Sequence, residues 1–161
     1  MKKPESLKRV LLAHVAALKE DPARLSIFTD AGKVVARATG TLSFAYHYTL
    51  NLVVQDYSGP VHDLTLPLLA WIAEKQPDLL ERAPNEPFRF ESEILYDDAR
   101  DVSITLDLIE RVLVERKAGG GFNVTYLDDR PASDTFDGVC GVPFLRGYLG
   151  DDLLVESPNA A

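Results

Sequence analysis

Three histidines, one cysteine and several paired carboxylates are the side chains in this sequence whose types and spacing could do chemistry. His62-Asp63 is the nearest approach to a general base beside an orienting carboxylate, with Ser58 four residues upstream. A serine hydrolase of the common α/β type presents its nucleophile on a Gly-x-Ser-x-Gly turn, and Ser58 has no such turn around it. His14 falls within an apolar helical periodicity and His47 on the polar face of an alternating run. None of the three has a Cys, His, Asp or Glu partner at a metal-site spacing.

The carboxylate pairs are Asp97-Asp98, Asp128-Asp129 and Asp151-Asp152, together with Glu91 and Glu93, which a strand places on one face. Such pairs divide acid and base roles, or hold a divalent ion, when burial separates their pKa values. These sit at predicted turns or on the solvent side of a strand, where they stay hydrated as surface charge. Gly119-Gly120-Gly121 lies between two strands and does not open a helix, so it predicts a hairpin turn and not a phosphate cradle. Cys140 has no nearby His or second Cys, which leaves it without a redox or nucleophilic partner. The expectation is therefore no catalytic residue, no metal ligand and no cofactor-binding residue.

The elements that carry these residues can be read from periodicity. Leu7, Val10, Leu11, Val15 and Leu18 predict one amphipathic helix over 5–20, ended by Asp21-Pro22. Leu25 to Thr29 and Val34 to Thr39 read as two short strands around a turn at Asp30-Ala31-Gly32-Lys33. Leu42, Phe44, Tyr46, Tyr48, Leu50, Leu52 and Val54 share one face of a long strand. A buried helix follows from Leu64 to Ile72, with Pro67 expected near its start and Gln76-Pro77 ending it. Phe88 to Tyr96, Val102 to Val114 and Phe122 to Tyr126 alternate as three more strands. The order is one helix, three strands, one helix, three strands: an α+β domain with a mostly antiparallel sheet and two main helices.

The chain has 161 residues, 46% hydrophobic and 26% charged, with a formal charge of -8. That fits one globular domain able to bury a core without disulfides or a structural metal. The acidic excess argues against a surface built to bind nucleic acid. Charge is uneven: residues 1–24 carry +3, 25–127 carry -6 and 128–161 carry -5. Periodicity ends after Asp128, dividing the chain into a domain at 1–128 and an irregular acidic extension at 129–161. That extension also holds Phe136, Val139, Val142, Phe144, Leu145, Tyr148, Leu149, Leu153, Leu154 and Val155. Leaving so many apolar groups in water is costly, so the extension is expected to lie on its own sheet or on a neighbouring subunit. No apolar run reaches the roughly 18 to 20 residues of a membrane span, and the apolar stretch after Met1-Lys2-Lys3-Pro4 is broken by charges, so no membrane partner is expected. The protein is expected in the cytoplasm where it is made, with Cys140 reduced.

Particular blocks carry a resemblance. Met1 to Leu7, Phe44 to Tyr57, Pro67 to Ile72, Gln76 to Leu80, Asp101 to Ile104 and Glu110 to Val114 with the three glycines after it stand in matching order and spacing. Over residues 1–127 the chain resembles the tail completion protein R family of P2-like contractile-tailed phages. The resemblance implies a non-enzymatic structural protein that works at the head-proximal end of the tail so that head and tail can join. It implies location in the host cytoplasm during assembly and then in the virion tail. Terminators of other phages form rings, commonly hexameric, that cap the tail tube. By that analogy the expected partners are copies of the same chain, the tube and sheath proteins and the head-tail connector.

If the chain forms a ring through which DNA passes, an acidic lumen would let the duplex slide, and Glu91, Glu93, Asp107 and the acidic extension are candidates for its lining. The alternatives are a head-tail adaptor that binds partners without closing a ring and, last, a small hydrolase using His62-Asp63 or an acidic pair.

Overall fold

A computed structural model of the chain describes residues 1–96, 99–130, 135, 146–149 and 151–156. Its elements are α1 (Lys3–His14), α2 (Ala16–Glu20), β1 (Leu25–Ala36), β2 (Phe44–Tyr57), α3 (His62–Lys75), α4 (Asp78–Glu81), β3 (Arg89–Tyr96), β4 (Ala99–Arg116) and β5 (Phe122–Leu127). A separate hairpin, β6 (Arg146–Leu149) and β7 (Asp152–Glu156), follows. The fold is α+β, as expected. Five antiparallel strands form one sheet in the order β1-β2-β4-β3, with β5 also paired to β4. Asp97, Asp98 and Cys140 lie outside the described residues.

The sheet is two-faced because its long strands alternate. In β4, Val102, Ile104, Leu106, Leu108, Val112 and Val114 are buried, while Asp107, Arg111 and Glu115 are exposed. In β2, Tyr48, Leu50, Leu52 and Val54 are buried on the same side, opposite Leu108, Leu106, Ile104 and Val102. Against this side lie Leu7, Leu11 and Leu18 of the first two helices, Val15 between those helices, and Leu64, Leu68, Trp71 and Ile72 of α3. Burying each such side chain contributes roughly 1.5 to 3 kcal/mol, which makes this layer contact the main source of stability. The helices pack on each other, and Trp71 Nε1 donates to Ser6 Oγ at 3.1 Å.

Four local expectations need correction. The single helix over 5–20 is two helices, because Val15 takes an extended backbone (φ -91°, ψ 113°). His14 Nδ1 donates to the Val10 carbonyl at 2.8 Å, and β-branched Val15 is a poor helix former. Second, Asp30 to Lys33 is not a turn. β1 runs through it, and a bulge between Asp30 and Lys33 inserts one extra residue against β2, with Ala31 at φ 48°. The turn residues are absorbed within a strand, so the first run of strands has two members, not three.

Third, Leu42 precedes β2 and is exposed. Fourth, Pro67 is the sixth residue of α3, not near its start, since His62 and Asp63 already form the first turn. A proline there costs about 3 kcal/mol of helix stability, which burial of Pro67 in the core helps offset. The three glycines do make the β4–β5 hairpin turn, with Gly120 at φ 93° and Gly121 at φ 81°.

Candidate functional site

The sheet has one interrupted edge. β2 lines one side of β4 from Arg100 to Val112, but on the other side β3 covers only Ala99 to Thr105 and β5 only Arg111 to Arg116. On that edge the stretch between them has no strand partner among the described residues, and Ile109 lies in it. Buried backbone polar groups must find partners, and here side chains supply them. Ile109 N–H donates to Gln76 Oε1 at 3.2 Å, and Lys3 Nζ donates to the Ile109 carbonyl at 2.7 Å. The Lys3 ammonium also donates to Gln76 Oε1 and to Asp129 Oδ2, each at 2.5 Å. Gln76 Nε2 in turn donates to Asp78 Oδ1.

Each of these residues is placed by local structure. Lys3 opens α1 beside Pro4, which the first helical turn tolerates. Gln76 is the residue that ends α3 before Pro77, so its side chain leaves the helix toward the sheet. Asp129 follows β5 by two residues, and Arg111 Nη2 donates to its other oxygen at 2.8 Å. The network therefore joins the start of α1, the end of α3, the middle of β4 and the chain just after β5.

A second buried group sits next to it. Glu110 is on the core side of β4 and only 3% exposed. Its carboxylate accepts from Tyr48 Oη at 2.5 Å and from Lys2 N–H at 2.7 Å. Burial first, then the hydrogen bond and charge of Glu110, push the Tyr48 hydroxyl pKa well above the usual tyrosine range, so it stays a donor.

His62 and Asp63 are neighbours without a hydrogen bond between them. His62 Nε2 lies 3.9 Å from Asp63 Oδ1, and neither atom has a hydrogen-bond partner. Tyr57 Oη donates instead to the Pro60 carbonyl at 3.1 Å. Burial raises the Asp63 pKa, opposed by the nearby His62 and by Tyr57. Perturbation of this kind marks functional sites only when a reacting partner stands by; the hydroxyl beside Asp63 is that of Tyr57, which is buried and held protonated, and His62 Nε2 and Asp63 Oδ1 have no partner.

The other expected residues are dispersed. His14 is held by its own helix, and His47 is half-buried opposite Ile109 and Lys33 on the helix-free face. Among the described residues no group of three or more His, Cys, Asp or Glu is placed to hold a metal ion. Asp128 is exposed, but Asp129 is not a solvated surface charge: it is half-buried and bridges Lys3 and Arg111. Glu91 and Glu93 stand opposite Ser103 and Asp101, so they share the helix-free face with Asp107. Arg89, opposite Thr105, interrupts that acidic strip.

What the sequence reading missed was the buried polar set Lys3, Gln76 and Glu110. One signal was available: Glu110 occupies an even-numbered position in a run whose other even members are all apolar. The pairing of Lys3 with Asp129 had no local signal, because 126 positions separate them.

A model of the P2 phage tail completion protein R family matches residues 1–131 of the chain. The chain belongs to that family. The tail completion protein R of Escherichia phage P2 is 38% identical over 133 residues, covering 81% of this chain and 85% of that protein. No solved structure matches. Family membership makes this a phage tail completion protein, of a family of structural tail proteins, and the matched span contains every residue of the network at the interrupted sheet edge. No helix among the described residues is long and apolar enough to cross a membrane.

Proposed function

We propose that this tail completion protein acts at the head-proximal end of the tail, where it stops growth of the tail tube and prepares the surface to which the head joins. The observation that carries this reading is the family match over residues 1–131, supported by the identity to the tail completion protein of phage P2 over most of both chains. The protein works by contact and not by catalysis, as a component of the virion tail assembled in the host cytoplasm. Its partners are copies of itself arranged as a ring, six by analogy with other terminators, together with the tube, the sheath and the head-tail connector.

Charge gives the ring reading a physical consequence. Glu91, Glu93, Asp101 and Asp107 share the helix-free face of the sheet. Turned toward a central passage, such a strip would repel phosphates and let DNA pass without being held.

The test is assembly of purified tail-tube protein with and without this chain. Tubes capped at one end and of limited length support the reading; an unchanged length distribution with no bound cap overturns it.

A further inference from the structure

The helix side of the sheet extends beyond the helices. At the end where β1, β2, β4 and β5 meet, Val34 lies opposite Tyr46, Phe44 opposite Val112, Val124 opposite Val114 and Phe122 opposite Arg116. Phe44 and Tyr46 pack edge to face at 5.0 Å. These positions continue the core rows, yet Val34 is 63% exposed, Val124 61% and Phe122 50%. Val112 and Val114 between them are buried, so the exposed apolar side chains flank a covered stretch; apolar side chains left exposed at one end of a sheet face mark a contact surface. Its surroundings are basic: Lys2 lies 5.2 Å above the Tyr126 ring, Arg37 follows β1, and Arg116 and Lys117 lead into the β4–β5 turn, against Glu115.

The same chain carries a surface of matching character. Tyr148 and Leu153 are directly opposite on the β6–β7 hairpin, and they are 54% and 48% exposed. A two-stranded hairpin is marginally stable by itself, and among the described residues this one pairs with no strand of the main sheet. It lies in a segment, 128–161, with seven acidic and two basic side chains. It also lies beyond residue 131, where the family match ends.

We propose that the β6–β7 hairpin of one copy docks, through Tyr148 and Leu153, on the apolar overhang formed by Val34, Phe44, Phe122 and Val124 of a second copy. Two facts select this occupant. The apolar patches are complemented by charge, an acidic segment against a basic rim. Both patches are open at once in a single chain, so the chain does not cover its own overhang with its own hairpin. The contact makes the extension an arm that links neighbouring subunits and extends the interface beyond the family-matched body.

The contact is testable on purified full-length protein with no tail component present, so its failure leaves the proposed tail role standing. Sedimentation velocity over a concentration series should show self-association. Leu153→Asp and Val124→Asp should each weaken it by roughly tenfold or more, the loss expected when an apolar anchor is replaced by a charge. Both side chains are exposed, and circular dichroism confirms that the variants fold; if Val124→Asp does not, Arg116→Glu with Lys117→Glu replaces it. A second measurement fixes which chain is bound. Two single-cysteine proteins in a Cys140→Ser background, one carrying Val124→Cys and one Tyr148→Cys, should form a mixed disulfide dimer on oxidation. A monomer at every concentration, association indifferent to these substitutions, or the absence of a mixed disulfide dimer between the two single-cysteine proteins would overturn the proposal.

Discussion

Lys3 Nζ lies 2.5 Å from Asp129 Oδ2, and this pair ties the first helix to the chain just past the last strand of the main sheet. The lysine side chain is 11% exposed and the aspartate 19%, so water screens the pair poorly. Lys3 also fills the role of a missing strand by donating to the Ile109 carbonyl. Truncating it therefore removes a charge partner and leaves a half-buried carboxylate and a backbone carbonyl short of a donor. Lys3→Ala should destabilise the fold by about 2 to 4 kcal/mol, in the range for removing one member of a buried pair. Urea unfolding checks this, and a loss below about 0.5 kcal/mol, the level of an ordinary surface change, would show that the network is not structural.

Glu110 and Tyr48 should behave as a coupled pair. Glu110→Leu leaves the Tyr48 hydroxyl and the Lys2 amide without an acceptor, and should cost about 1 to 3 kcal/mol. Tyr48→Phe removes one donor to the buried carboxylate. The double variant should be more stable than the sum of the two single losses predicts, because each change removes the group that the other leaves unpaired. Additivity in denaturant titrations would contradict the direct bond.

Asp63 should impose a pH dependence of defined sign. Its pKa is raised in the folded protein from 3.8, chiefly by burial, so the folded state holds this proton more tightly than the unfolded state does. Stability from this group is then greatest below the unfolded carboxylate pKa and falls as pH rises through the folded one. Asp63→Asn should match the parent at low pH and gain on it as pH rises above about 4. A variant that loses stability relative to the parent on going from pH 3 to pH 7 would show that the helix N-terminus stabilises the charge more than burial penalises it.

Raised tyrosine pKa values predict the alkaline limit. Burial, then Glu110 for Tyr48 and Asp63 for Tyr57, hold both hydroxyls protonated in the folded state. Their contribution is intact below the unfolded tyrosine pKa near 10 and is lost as pH rises above it. Unfolding followed by tyrosinate absorbance should therefore show ionisation of these two phenols and loss of helix signal in one transition. Ionisation of all six tyrosines while the helices persist would contradict it.

The sheet was largely legible because a two-residue period shows directly in β2 and β4: one face of each meets the helices and the other meets water. Bulges and helix breaks were not. The Asp-Ala-Gly-Lys stretch has the composition of a turn, and only pairing with β2 reveals that the strand continues through it. Val15 fits the helical apolar spacing while breaking the helix, since periodicity records which face is buried and not the backbone angles. The network around Lys3 escaped for a different reason. Its members are polar, lie far apart in sequence, and meet only because β3 and β5 stop short of each other along β4.

Whether this chain completes tails is decided by deleting its coding sequence from the phage or prophage that carries it and counting virions by electron microscopy. Filled heads and separate tails that do not join are expected, with joined infectious particles restored when the chain is supplied in trans. Joined, infectious virions in the absence of the chain would contradict a role in tail completion.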